Sequence, residues 1–132
     1  MKTLKAFILL TFMVITSSTI NAQFKLAQWP ELKAFHGVMS ETFHPSEEGK
    51  LEPIKTRSTE MYTKAIAVSK STIPANLKNK KGINEAVANL VKGTKELDAM
   101  VKAKATDDVI KTKLAGLHDT FHKIIETCND EK

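Results

Sequence analysis

The chain is poor in cysteine, glycine and aromatic residues: its 132 residues include one cysteine, five glycines, one tryptophan and one tyrosine. A lone cysteine, Cys128, excludes an internal disulfide, so stability has to come from packing. No glycine-rich phosphate loop, serine-nucleophile motif or spaced carboxylate dyad is present, and an enzyme is therefore not expected. Strand-like alternation and internal repeats are absent as well. There is no block of like charge. The lysines are interleaved with acids, as on a solvated helix surface, and a formal net charge of +5 is too mild to call for nucleic acid.

What is present begins with a leader-like start. Two lysines in Met1 to Lys5 precede the uncharged apolar run Ala6 to Ile15, and a small residue, Ala22, follows a short polar stretch. The run is shorter than the roughly 20 residues a helix needs to cross a bilayer, and the order of features is that of a secretory signal peptide. Residues 1–22 are expected to be cleaved, leaving residues 23–132 as one domain in a secreted or periplasmic protein without membrane insertion. Loss of Lys2 and Lys5 lowers the basic count from 20 to 18 against 15 acids, a net charge of about +3. Gln23, not cysteine, stands directly after the cut, so a lipid anchor is not expected. About 110 residues suffice for a single core.

Four segments carry apolar residues at three- and four-residue steps, the spacing of one helix face. The first runs from about Leu26 to Phe43, with Leu32, Phe35, Met39 and Phe43 inward. Pro45 is expected to stop it at His44, because proline lacks an amide donor and disfavours helical geometry in the residue before it. The second starts near Pro53, which suits a first turn, and turns Ile54, Met61, Ala65 and Val68 inward. A loop over 71–82, rich in Pro, Asn, Lys and Gly, leads to a third helix with Ile83, Val87, Leu90, Leu97 and Val101 on its stripe, mildly interrupted by Thr94. Thr106 followed by Asp107 and Asp108 suits the start of a fourth, since a hydroxyl caps free amides and acids face the positive end of the helix dipole. Its stripe is Ile110, Leu114, Leu117, Phe121, Ile124 and Cys128. Short first and third connections predict an all-α, up-down-up-down antiparallel four-helix bundle in which the first and last helices are neighbours.

All four histidines fall on those two helices: His36 and His44 on the first, His118 and His122 on the last. His118 and His122 are four apart, so their rings leave the same face and can chelate one ion. If residues of the two antiparallel helices share a level when their numbers sum to about 157, His36 lies level with residue 121 and Met39 with His118. His44 joins only if the chain bends before Pro45. Imidazole suits copper, zinc, nickel or haem iron, and a thioether such as Met39 favours copper(I) or haem. The bland account of the same residues is a solvent-wetted pair at the bundle's edge. Cys128 on an apolar stripe reads as a small buried filler, with a ligand or homodimer-bridging role as its alternative.

The stretch Leu114-Ala-Gly-Leu-His118-Asp-Thr-Phe-His122 resembles the last helix of the cytochrome c prime group and its b-type bundle relatives. That resemblance implies a haem-ligating histidine near the end of helix four and a methionine of helix one as second axial ligand. In the c-type members the histidine closes a CxxCH motif. Leu114 and Leu117 stand where its cysteines would be if His118 is the ligand, so covalent haem attachment is excluded. Alignment on Phe121-His122 instead matches the b-type pattern, with Met39 as partner.

Three readings therefore stand. The first is an ion, copper or zinc, held by His36, His118 and His122 with Met39 and His44 auxiliary. The second is a non-covalent haem b protein moving electrons through His122 or His118 and Met39. The third is a cofactor-free structural or adaptor bundle.

Overall fold

A computed structural model describes residues 26–129. The expected signal peptide lies outside these residues. Among them the structure is helical without strands: α1 Pro30–Glu47, α2 Glu52–Lys70, α3 Lys80–Lys102 and α4 Asp107–Asn129. Each helix packs on the next, and α4 also packs on α1, in a bundle around one core. No described helix is long and apolar enough to cross a membrane.

The helix starts follow from local chemistry. Pro30 and Pro53 stand in the first turns of α1 and α2, where an amide donor has no intrahelical partner to lose. Asn79 caps α3, its Oδ1 accepting from the Gly82 amide at 3.0 Å. Asp107 and Asp108 occupy the first turn of α4, and the Thr106 carbonyl accepts the first intrahelical bond, from Ile110 N at 3.1 Å.

The end of α1 corrects one expectation. The helix does not stop at His44 but carries Pro45 in its last turn and runs to Glu47. So close to the C-terminus proline forfeits a single hydrogen bond. Its own carbonyl accepts from Glu48 N at 3.0 Å and Lys50 N at 2.9 Å, and Ser46 Oγ donates to the Phe43 carbonyl at 2.6 Å. Gly49, at φ +80°, then takes the left-handed turn that residues with a Cβ avoid.

The expected stripes are the core. Leu32, Phe35 and Met39, Ile54, Met61, Ala65 and Val68, Ile83, Val87, Leu90 and Leu97, and the whole α4 stripe are buried, while Phe43 and Val101 pack against them half-exposed. Trp29, also buried, ties the start of α1 to the end of α2 through Nε1 donating to Ser71 Oγ at 2.7 Å. Two polar groups complete the stripes. Thr94 is fully buried and returns its hydroxyl to the Leu90 carbonyl at 2.8 Å, which satisfies it without breaking α3. Asp98, 6% exposed, receives Ser58 Oγ at 2.9 Å and Thr59 Oγ1 at 2.8 Å from α2 and Lys102 Nζ at 2.7 Å from its own helix. Burial alone would raise its carboxyl, but these three donors together outweigh that and hold it below the ordinary range.

Candidate functional site

On α4 the i, i+4 spacing does what its geometry requires. His118 and His122 converge, with Nε2 to Nε2 at 3.1 Å and ring centroids 4.4 Å apart. Two neutral imidazoles in this arrangement share one proton, one ring donating N–H and the other accepting. The same arrangement fits cis ligands of one ion. With metal–nitrogen bonds of about 2.05 Å, a 3.1 Å separation corresponds to an angle of about 98° at the metal, between square-planar and tetrahedral values.

The neighbouring helix frames this pair with aromatic rings. Phe43 lies flat on His118, centroids 3.9 Å apart and planes 12° apart, and His36 stacks on Phe121 at 5.1 Å and 24°. The expected level of His36 with residue 121 is thus what the rings adopt. Met39, which the same counting puts level with His118, does not meet that ring: Phe43 does, while Met39 is fully buried in the core. The physical reason is rotation of α1 about its axis. Positions 32, 35, 39 and 42 face the interior, which leaves Phe43 on the flank beside α4.

His122 and His44 are exposed, and His36 and His118 half-buried. His44 sits in the last turn of α1 with Nδ1 3.4 Å from Glu47 Oε2. Burial first, then the charges of His122 and His44, lower the pKa of His36. Burial first, then His122 and His44, also lower that of His118, with Asp119 and Glu47 acting in the opposite sense. All four imidazoles therefore lie within electrostatic reach of one another's cluster, and the two inner ones are biased toward the neutral form whose lone pair binds metals. Yet only two nitrogens actually converge. Among the described residues no group of three or more His, Cys, Asp or Glu side chains stands close enough to hold an ion.

The fit to haem differs from the fit to a bare ion. Axial ligands of haem iron stand on opposite faces of the macrocycle. With Nε2 of His118 and Nε2 of His122 in contact, a haem held by either ring would need the other to turn aside. The haem alternative with Met39 further requires opening the core in which that side chain is sealed.

What sequence reasoning missed is the aromatic floor. Periodicity puts Phe43 on the inward stripe, whereas its ring packs at the rim of the core and lies on His118. Its position one residue before His44 gave no sign of contact with His118, because that contact depends on how far α1 is rotated. Cys128 is buried in the core. A groove of ≈590 Å³ on the α3–α4 side, lined by Gly93, Met100, Val109, Gly116 and Leu117 among others, contains no imidazole.

Compared with known proteins, the chain matches no family model, no curated protein and no solved structure.

Proposed function

We propose that this chain is an exported four-helix bundle of up-down-up-down topology that binds a transition-metal ion, copper or zinc, at the histidines of α1 and α4. The topology reading is supported by contacts that run in opposite senses along paired helices. Trp29 meets Ser71 while Glu41 meets Arg57, and Gly82 lies by Thr127 while Glu96 meets Lys113. Export rests on the charged, apolar and small-residue order of residues 1–22.

The observation that carries the metal reading is the 3.1 Å approach of the two Nε2 atoms. His118 and His122 are the anchoring ligands, and His36 and His44 flank them. A donor pair of imidazole nitrogens suits zinc(II) and copper(II) better than magnesium or calcium, which prefer a shell of oxygens. The helix holds the two donors in register before the ion arrives, which reduces the ordering cost of chelation.

Titration of the metal-free, processed protein with zinc or copper, followed by thermal unfolding, tests this. At about 100 times the dissociation constant the ion should stabilise the fold by roughly 2.7 kcal/mol. His118→Ala and His122→Ala should abolish that gain and His36→Ala should reduce it, while Met100→Leu should leave it unchanged. Unaltered melting at saturating zinc, copper and nickel would overturn the reading and leave the cofactor-free scaffold.

A further inference from the structure

Two convergent nitrogens are half of what a four-coordinate ion takes, and the open half of this site faces outward, since His122 is exposed. Building on the metal-binding reading, we propose that a second copy of this chain supplies the other half. One zinc ion is then held by His118 and His122 of one protomer and the same pair of its partner, across a two-fold axis through the ion.

Four observations carry this. First, no third metal-binding side chain among the described residues stands with the pair. Second, neither α1 imidazole converges on the pair: His36 lies stacked on Phe121, and the exposed His44 stands 5.6 Å from the Phe43 ring with Nδ1 3.4 Å from Glu47 Oε2. Third, the pair sits near the middle of α4, which spans Asp107–Asn129, so two such helices crossing at the ion have helix surface to pack on both sides of it, and the same patch facing itself closes as a two-fold dimer. Fourth, the flanking charges are self-complementary. Lys111, Ala115, His118, His122 and Glu126 follow one another at steps of four, three, four and four, so they share one stripe. Lys111 and Glu126 are both exposed, one before the pair and one after it. In an antiparallel crossing each lysine faces the partner's Glu126, whereas a parallel crossing sets like charges together.

Sedimentation or light scattering of the processed full chain, with zinc titrated into the chelator-treated protein, decides the matter. The expected result is a monomer without zinc, a dimer that saturates at half an equivalent per chain, and return to monomer on adding EDTA. His122→Ala should remove dimer and zinc together. Glu126→Lys should raise the zinc concentration needed for dimerisation several-fold, and Glu126→Lys combined with Lys111→Glu should restore it. A monomer that binds one zinc per chain overturns the shared site while leaving the metal reading intact. Absence of zinc binding overturns both, and a dimer indifferent to EDTA overturns the shared site.

Discussion

Helix α4 meets its two neighbours in opposite ways. Against α3 it presses Leu117 into the notch left by Gly93, where a Cβ would collide with the Leu117 side chain, so the two backbones come close. Against α1 it presents rings: Phe121 stacks on Phe35 at 5.9 Å and on His36, and His118 lies under Phe43. Of the four seams this one brings the backbones together over the shortest stretch. Small residues let a seam close where they meet, although the same seam opens beside them into the groove lined by Gly93, Met100 and Gly116. Flat rings hold a seam apart, and their edges leave nitrogens accessible to solvent while their faces remain packed. The candidate site is on the ring-filled side, where Phe43 packs on the His118 ring and the Nε2 of His118 meets that of the exposed His122.

Removing the central ring should have the largest effect. Phe121 is 3% exposed and is shared by Phe35 and His36, so Phe121→Ala should cost about 3–5 kcal/mol in urea unfolding. It should also weaken zinc binding by loosening the seam that holds Phe43 against the His118 ring. A loss below about 1 kcal/mol would show that the α1–α4 seam contributes little to the fold and is merely covered by these rings. The opposite seam is probed by Gly93→Val, for which overpacking against Leu117 predicts a loss of about 1–3 kcal/mol. Its control is Gly116→Ala, at the open groove on the α3–α4 side, where a Cβ meets nothing within 4 Å. There the better helix propensity of alanine should leave stability unchanged or raise it by up to about 1 kcal/mol. Equal behaviour of the two glycines would show that Gly93 is not where this seam closes.

Much of the fold was legible because helix periodicity is a local property: each stripe is written within one segment, and burial of the stripes follows from it. The features that were not legible depend on partners far along the chain. Nothing near Asp98 announces that Ser58 and Thr59, 40 and 39 residues away, will hold it inside the bundle. A hint existed in α2, where the polar Ser58 occupies the step between Ile54 and Met61 on an otherwise apolar stripe. For the site, the chelating spacing of His118 and His122 was readable and the level of His36 followed from antiparallel counting. The pairing of His118 with Phe43 was not, since counting along an axis fixes height but not rotation about it. Proline rules failed at Pro45 for a related reason: they describe helix interiors, and a last turn has little left to break.

The smallest predicted effect separates the ring-filled seam from the Asp98 contact between α2 and α3 by pH, in metal-free protein with chelator present. His36 and His118 are held below the ordinary histidine value of 6.5 by burial and then by neighbouring imidazoles. As pH falls below about 6.5, the unfolded chain takes up protons at these positions before the folded one does, so stability declines with acidification and is fully present at neutral pH and above. Asp98 behaves in the converse sense. Its carboxyl is held below the ordinary 3.8, so its contribution persists above that value and is lost only as pH falls further. Melting curves between pH 7.5 and about 3 should therefore fall in two separate steps. The upper step should flatten in a His36→Gln, His118→Gln double variant and the lower one in Asp98→Asn. If the upper step survives the double variant, the imidazoles are as solvated when folded as when unfolded, and the aromatic seam does not hold them in the neutral, metal-ready form.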